Sequence, residues 1–380
     1  MNLEQLRDQI DELDAVLVKL FEQRMDFAAH VAEYKRANDL PILDRTREAA
    51  KLREIGESAR PELQPALYTL YDTIFELSRS HQSGLLNSES ALWTDIQNAI
   101  ASTPQLFPQA ATVACPGVEG AFTQKACDKL FKRPNIMHFT GFEGVFSAVE
   151  SGLCEYGVVP IENSTAGSVT KIYNLLQRKD VRIVRSTRLK IDLNLAAPKN
   201  VKPGDVKVIY SHEQAINQCS EFLETLGKVE IVQCENTAIA AELVAKSGRT
   251  DVAAICSYDC LEVYGLNCLS ADVQDKANNH TRFICISKNL EIYPGADRTS
   301  LLLTLPHTPG ALHKALAKFY ALGINLLKLE SRPLPNRDFE FMFYFDLETS
   351  VYSEEFAKLL THMDEICREF KYLGSYSEVV

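Results

Sequence analysis

The sequence has few of the features that would tie it to nucleic acid, a membrane or the secretory route. Its 380 residues carry a formal net charge of -11 at pH 7, and this lack of excess positive charge argues against nucleic acid or anionic membrane as a partner. Apolar runs such as residues 301–303 are far too short to span a bilayer. The first residues form an acidic amphipathic segment instead of a basic region with an apolar core, so we expect no signal peptide and a cytoplasmic location.

Metal-ligand and redox motifs are also missing. The ten cysteines form no C-x-x-C pair and have no paired histidines at zinc spacing. Cys256 and Cys260 could bind a metal, but we expect the cysteines to be free thiols, most of them packed as small hydrophobes in a reducing compartment. We therefore expect no metal and no cofactor. The single tryptophan, Trp93, is expected to pack against a neighbouring domain, with stacking on a ligand as the alternative.

Glycine and proline are absent from residues 1–38. Leucine and other apolar residues recur there at steps of three and four, which predicts one long amphipathic helix closed by Pro41. Arg24 and Lys35 share a face of this helix, whereas Arg7 lies about 25 Å away along the axis. If all three serve one small anion, Arg7 must come from a second copy of the chain, and the protein is a dimer.

The next two predicted helices each present a polar patch. Asp44, Arg47 and Glu48 share one face, and Ser78 and Gln82 share another. With the three cations of the first helix, this order over residues 1–83 resembles the active-site set of the all-helical chorismate mutases. The alternative is a three-helix dimerisation module with solvated charges.

The resemblance implies a site that folds chorismate for a pericyclic rearrangement and needs no nucleophile. Arginine forks suit its two carboxylates, and donors at the ether oxygen gain strength as negative charge grows there. By resemblance, Arg7 of a partner copy, Arg24 and Arg47 bind carboxylates, and Lys35 and Gln82 flank the ether oxygen. The remaining residues bind the substrate hydroxyl or orient their neighbours, namely Glu48, Asp44 and Ser78.

Residues 85–110 read as a linker with a short helix near Trp93, and residues 111–288 alternate short β-rich runs with helical ones. This pattern predicts an α/β domain. Functional loops are expected at the carboxyl ends of strands. Four places stand out there: the turn at 117–120, the segment after Val159, the turn at 211–212, and the segment 281–283.

These places carry a second resemblance, to prephenate dehydratase, in the segments CPGVEGAFTQKA (115–126), VVPIENSTAGSV (158–169), SHEQAINQC (211–219) and NNHTRFI (278–284). The first turn departs from the commoner Gly-Pro form. The resemblance implies a two-lobed fold like that of periplasmic binding proteins, and loss of water and carbon dioxide from prephenate. The resemblance also implies that Thr281 is the donor to the departing hydroxyl. The implied substrate-binding residues are Glu162, Asn163, Ser164, Ser211, Gln218 and Arg282. His212 and His280 are alternative acids, and a two-lobed binding module without catalysis is the alternative for the whole region.

Residues 297–380 predict the order β-α-β-β-α-β of a ferredoxin-like α+β domain. This region resembles the ACT regulatory domain. PGAL (309–312) and ESRP (330–333) resemble its phenylalanine-binding motifs, which implies an effector site at Gly310, Ala311, Leu312, Glu330, Ser331 and Arg332. Arg332 as an interface or salt-bridge residue remains the alternative.

Taken together, the sequence predicts a multidomain enzyme with a mutase domain at 1–84, a linker at 85–110, a dehydratase domain at 111–288 and a regulatory domain at 297–380. Chorismate and prephenate are the expected substrates, phenylalanine is the expected effector, and a homodimer or higher homo-oligomer is expected. Arogenate as the dehydratase substrate remains open. A dimeric amino-acid sensor without dehydratase activity is the rival from another class.

Overall fold

The computed structural model describes residues 2–86, 91–334 and 341–380. The chain divides into two compact units, which are described separately. One comprises Met1–Thr94 together with Ala357–Ile366, and the other comprises Asp95–Phe356 together with Cys367–Val380. No helix among the described residues is both long and apolar enough to cross a bilayer.

The first unit is built on three helices, α1 (Leu3–Ala37), α2 (Arg45–Ser58) and α3 (Gln64–Leu86), with a 3-10 turn at Pro61–Leu63. The predicted long helix is confirmed as α1. Asn2 starts it with a capping box in which Asn2 and Gln5 exchange hydrogen bonds. The Asp44 carboxylate caps α2 by accepting from the backbone N–H of Arg47 at 3.0 Å. Helix α3 runs on through Gly84, where the sequence pattern predicted the end of the domain.

The second unit begins with the end of α4 (Ala91–Ser102), close to the short helix predicted near Trp93. Alternating strands and helices follow it. The strands are β1 (Ala110–Pro116), β2 (Arg133–Phe139), β3 (Tyr156–Asn163), β4 (Gly167–Ser168), β5 (Arg182–Lys190), β6 (Asn194–Ala197), β7 (Val208–Ser211), β8 (Glu230–Gln233), β9 (Val252–Cys256), β10 (Asn267–Ser270) and β11 (His280–Ser287). The helices are α5 (Phe122–Leu130), α6 (Phe142–Glu150), α7 (Thr170–Arg178), α8 (Glu213–Asn217), α9 (Ser220–Thr225), α10 (Thr237–Lys246) and α11 (Asp259–Tyr264), and a 3-10 turn lies at Pro203–Asp205.

The last elements follow the predicted β-α-β-β-α-β order. They are β12 (Arg298–Thr304), α12 (Ala311–Ala321), β13 (Asn325–Pro333), β14 (Phe341–Glu348), α13 (Glu354–Ile366), β15 (Glu369–Tyr376) and a final short strand β16 (Glu378–Val379). Strands β13, β14, β12 and β15 form one antiparallel sheet in that order, which we call the C-terminal sheet.

Two further sheets make up the α/β region. The first sheet has the order β16-β5-β11-β3-β1-β2, with β4 paired to β3, and the second has the order β10-β6-β9-β7-β8. Strand β9 is buried along its whole length, as expected for an apolar strand covered on both faces. The chain leaves the first sheet after β5, builds the second sheet, and returns through β11 to a place between β3 and β5.

This return corrects one prediction from the sequence. Thr281, Arg282 and Phe283 were expected in a loop after a strand, but they lie near the start of β11, which pairs antiparallel with β3. The segment begins with the polar residues NNHTR, so its sequence lacks the apolar pattern that would predict a strand there. The turn at 117–120 lies after β1 as predicted, and Gly117 and Gly120 adopt φ values of 97° and 83° that favour glycine.

Candidate functional site

In the helical unit, α1 and α3 bring two predicted site residues together. The Arg24 guanidinium donates to the Ser78 hydroxyl and lies 5.7 Å from the centre of the Phe75 ring. Burial lowers the pKa of Arg24, and nearby Tyr71 and Glu48 counteract this. Arg24 is therefore a half-buried cation next to the buried hydroxyl of Ser78, and this arrangement suits the binding of an anion.

Other members of the set surround the same helices. Lys35 donates to the backbone carbonyl of Ile42, and Glu48 pairs with Arg79 of α3. Gln82 is buried, and its side-chain oxygen finds no hydrogen-bond partner within the described parts of the chain. A buried amide without a partner costs free energy unless a ligand satisfies it. Arg7, Asp44 and Arg47 are exposed, and Arg7 is the one that a single copy of α1 places about 25 Å from Arg24.

In the α/β region, a chain of side-chain amides leads from Asn163 at the end of β3 to Gln218, which follows directly after α8. Asn163 donates to the Thr281 hydroxyl at 2.9 Å and to the Asn279 side chain at 2.8 Å, and Asn279 donates to Gln218 at 3.0 Å. The Asn163 oxygen accepts from the backbone N–H groups of residues 165 and 166, which fixes the orientation of its amide. The network therefore connects Thr281, the catalytic candidate, to Asn163 of the segment 158–169 and to Gln218 of the segment 211–219.

This network borders a cavity. Its lining residues are Thr165, Asn217, Gln218, Gln274, Asp275, Lys276 and Asn279. Asp275 is engaged at the start of α9, where its carboxylate accepts from Ser220 N–H at 3.0 Å, Ser220 Oγ at 2.7 Å and Glu221 N–H at 3.1 Å. Lys276 is the cation of the lining set. The sequence analysis named neither Lys276 nor Asn279 as a site residue, although Asn279 lies within the segment NNHTRFI and Lys276 two residues before it.

The remaining predicted dehydratase residues fall into two groups. Ser164 and Ser211 bond to backbone: Ser164 Oγ donates to the Asn278 carbonyl at 3.1 Å, and Ser211 Oγ donates to the Ile255 carbonyl at 2.8 Å. Glu162 and Arg282 form an ion pair at 2.7 Å. Because successive residues of a strand face opposite ways, Glu162 and Arg282 lie on the face away from Asn163 and Thr281.

The two histidines weighed as acids are placed differently. His212 begins α8 and accepts from the Gln214 N–H through Nδ1 at 3.2 Å, and burial lowers its pKa. The backbone of His280 exchanges hydrogen bonds with Ser164, in which the Ser164 N–H donates at 2.8 Å and the Ser164 hydroxyl accepts at 2.9 Å. Both residues therefore have structural contacts at the motif turns.

The predicted effector residues lie in two different places within one chain. Gly310, Ala311 and Leu312 line a cavity at the start of α12, together with Leu305, Pro306, His307, Thr308, His313, Phe341 and Phe343. Glu330 and Arg332 point elsewhere: Glu330 accepts from the Ser168 hydroxyl at 2.7 Å, and Arg332 donates to the Thr170 hydroxyl at 2.8 Å. Within one chain, PGAL forms the cavity, and two side chains of ESRP contact the segment that follows β3.

Comparison with known proteins identifies the class of each region. Residues 6–83 match the chorismate mutase type II family, and residues 113–291 match the prephenate dehydratase family. A bifunctional chorismate mutase/prephenate dehydratase of Aquifex aeolicus is 32% identical over 383 residues, covering 100% of this chain and 98% of that protein. The chain therefore belongs to the bifunctional chorismate mutase/prephenate dehydratase family.

Two further relatives each cover 70% of this chain. Arogenate dehydratase/prephenate dehydratase 1 of Arabidopsis thaliana is 36% identical over 281 residues, 70% of this chain and 71% of that one. The crystal structure of prephenate dehydratase in complex with L-Phe from Arthrobacter aurescens superposes with a TM-score of 0.65 at 29% identity, covering 70% of this chain and 89% of the other.

Proposed function

We propose that this chain converts chorismate to prephenate in its helical region and prephenate to phenylpyruvate in its α/β region, as a phenylalanine-regulated enzyme of phenylalanine biosynthesis. The observation that carries the second activity is the hydrogen bond from Asn163 to Thr281 beside the cavity. The proposed domains are 1–84, 111–288 and 297–380, joined by a linker at 85–110. The cytoplasm is the proposed location.

The dehydratase step needs a donor for the ring hydroxyl that leaves as water. Because the Asn163 amide donates to the Thr281 oxygen, the threonine's own proton is directed to another acceptor. We propose that the hydroxyl of the substrate is this acceptor, so that Thr281 donates to it. A threonine is a very weak acid, so its role is that of a positioned donor, while aromatisation drives the loss of water and carbon dioxide.

The cavity chemistry favours prephenate over arogenate. Both compounds carry two carboxylates, but arogenate has an ammonium group where prephenate has a ketone, and this ammonium needs an anionic or carbonyl partner. Among the lining residues, the carboxylate of Asp275 is already bound by Ser220 and Glu221, while Lys276 offers a cation. We assign Lys276 to a substrate carboxylate, in place of Arg282, the cation among the substrate-binding residues that the resemblance implies.

For the mutase, the proposed active form is a homodimer in which Arg7 crosses to the partner. Helix α1 exposes an apolar face in a single chain. Its exposed members, each 44–64% accessible, are Leu3, Leu6, Ile10, Leu13, Leu17 and Leu20. Six such residues along one helix form an apolar patch that a second copy would cover. The eight mutase residues keep the roles that the resemblance implies.

For control, the C-terminal residues form an ACT domain that binds phenylalanine. The cavity at Gly310–Leu312 combines backbone N–H groups at the start of α12 with the Phe341 and Phe343 rings, which suits an amino acid that has a carboxylate and an aromatic ring. ESRP residues of a second copy would complete the site. We propose that the two sheets of the α/β region are the two lobes of a fold like that of periplasmic binding proteins.

Purified protein tests both activities in one assay. Chorismate should disappear, and phenylpyruvate should accumulate without any added metal or cofactor. Prephenate and arogenate should then be compared as substrates, with higher kcat/KM expected for prephenate. Preference for arogenate would refute prephenate as the proposed substrate, and a protein that binds phenylalanine but turns over neither substrate would support the sensor alternative.

A further inference from the structure

Strands β3 and β11 carry two different sets of side chains on their two faces. One face holds Asn163 and Thr281, and the other holds Glu162 and Arg282. The two members of each set are direct cross-strand neighbours, since Thr281 pairs with Asn163 and Arg282 pairs with Glu162. A displacement of Glu162 and Arg282 therefore displaces the catalytic candidate on the opposite face.

The Glu162 and Arg282 face is covered by the C-terminal sheet. Arg282, with its side chain 4% exposed, pairs with Asp346 of β14, whose side chain is 1% exposed. Ser300 donates to Asp346, and the Tyr376 hydroxyl lies 2.7 Å from Ser300. Burial is the largest single influence and lowers the pKa of Arg282, but Asp346, Tyr376, Tyr344 and Glu162 together raise this pKa well above its ordinary value. The guanidinium is therefore charged and buried, and it forms ion pairs with Asp346 and Glu162.

A second set of contacts connects Glu162 to β13. Lys328 donates to Glu162 and also to the Ser168 hydroxyl, the latter at 2.9 Å, and Ser168 donates to Glu330 at 2.7 Å. Glu162, Arg282, Asp346 and Lys328 thus form a cluster of two anions and two cations. We call these four residues the ionic cluster. It joins β13 and β14 to β3 and β11.

We propose that the ionic cluster positions Thr281 and Asn163, so that the state of the C-terminal sheet sets the dehydratase rate through Arg282 and Glu162. Both residues are then positioning residues and not substrate ligands. This inference rests on the proposed function, because it concerns the proposed dehydratase and its effector. Its physical basis is that breaking a buried ion pair leaves an uncompensated charge, which forces nearby strands to shift.

The first test measures dehydratase kinetics without phenylalanine in the full chain carrying Asp346→Asn. We expect kcat to fall at least tenfold while KM changes less than threefold, because substrate contacts stay in place and only the donor is displaced. An increase in KM at unchanged kcat would overturn the proposal, since Arg282 would then bind substrate. Unchanged kinetics would overturn it as well.

A matched control separates positioning from general stability. Glu378 is also buried between the same sheets, pairing with Arg298 at 3.2 Å and with Arg188 at 3.3 Å, but it contacts β5 instead of β3 or β11. Glu378→Gln should leave kcat within threefold even if its melting temperature falls as far as that of Asp346→Asn. An equal loss of kcat in both variants would overturn the proposal.

The second test uses Lys328, whose side chain is partly accessible and more tolerant of change. Lys328→Met should raise the phenylalanine concentration for half-inhibition at least tenfold, while calorimetry shows phenylalanine affinity within threefold of the parent. Lys328→Arg, which keeps the charge, should restore inhibition. Inhibition of Lys328→Met at the parental concentration would overturn the inference. If the parent enzyme binds no phenylalanine, the proposed effector fails, and the Asp346 kinetics still decide whether the cluster positions Thr281.

Discussion

The side-chain amide of Asn163 donates to the hydroxyl oxygen of Thr281 over 2.9 Å, and this single bond orients the donor proposed for dehydration. The orientation of Asn163 is itself fixed by two backbone N–H groups that donate to its oxygen. A network in which each member has a defined donor or acceptor role can be tested by changing one role at a time.

Asn163→Asp exchanges a donor for an acceptor with little change of shape. The carboxylate would accept the Thr281 proton and so withdraw it from the substrate. We expect dehydratase kcat to fall by about 10²–10³, the typical cost of losing one preorganised donor function. Mutase activity of the same chain should not change. Asn135→Asp, on the exposed edge strand β2, is the matched control and should behave like the parent.

Thr281→Ala should abolish dehydration, whereas Thr281→Ser should retain part of it, because the reaction depends on the hydroxyl and the methyl group serves to fix its rotamer. Thr281→Val keeps the shape at this buried position and should be as inactive as the alanine variant. Steady-state rates with prephenate provide the measurement. Full activity of the alanine or valine variant would transfer the role to His280 or to water.

Much of the fold was predictable because its strands are apolar and its first helix is uninterrupted. Strands β2, β6 and β10 do not stand out as β-rich runs in the sequence, because they are short, polar or interrupted by proline, as in RPNIMHF and NCLS. The position of β11 within its sheet could not be predicted from the sequence for another reason. Its neighbours β3 and β5 are set by pairing across more than ninety residues, and no local pattern encodes such a pairing.

The candidate site, like the fold, was predictable only in part. The motifs indicated which segments meet, but Thr281 and Arg282 were given one pocket because they are adjacent in sequence. Once they lie in a strand, adjacency places them on opposite faces. The period of two would have separated them if the segment had been recognised as a strand. The separation of Gly310 from Glu330 likewise depends on tertiary structure.

Gln82→Ala and Lys35→Ala should reduce mutase turnover by orders of magnitude, since losing one donor to developing charge costs about 3–4 kcal/mol. The buried Gln82 oxygen that lacks a partner among the described residues is the structural reason to expect a ligand there. His81→Ala alters the exposed neighbour on the same helix and should leave turnover unchanged. Dehydratase rates, measured on the same samples, should stay near the parental value. Loss of both activities in Gln82→Ala would show that the change acts through folding.

Arg7→Ala and Arg24→Ala chains should each be inactive as mutases and regain activity when mixed under conditions that allow subunit exchange. In a two-fold symmetric dimer, each hybrid contains one site with both arginines intact, so an equal mixture should recover about a quarter of the parental rate. Arg24 contacts Ser78 and Phe75 of its own chain. A mixture that exchanges subunits, shown by mass labelling, yet recovers no activity would mean that Arg7 does not act across the dimer.

Gly310→Val should weaken phenylalanine inhibition without altering the chemistry. Gly310 lines the proposed effector cavity with φ at 82°, and a β-branched residue there is strained and also fills space next to the start of α12. Gly295 provides a close control, because it has φ at 83° and nothing lies within 4 Å of a Cβ built on it, as at Gly310. Both substitutions should cost about 1–2 kcal/mol of stability from the left-handed backbone. Only Gly310→Val should raise the half-inhibitory phenylalanine concentration, by at least tenfold, with the uninhibited dehydratase rate unchanged. Equal sensitivity to phenylalanine in the two variants would remove this cavity from the effector site.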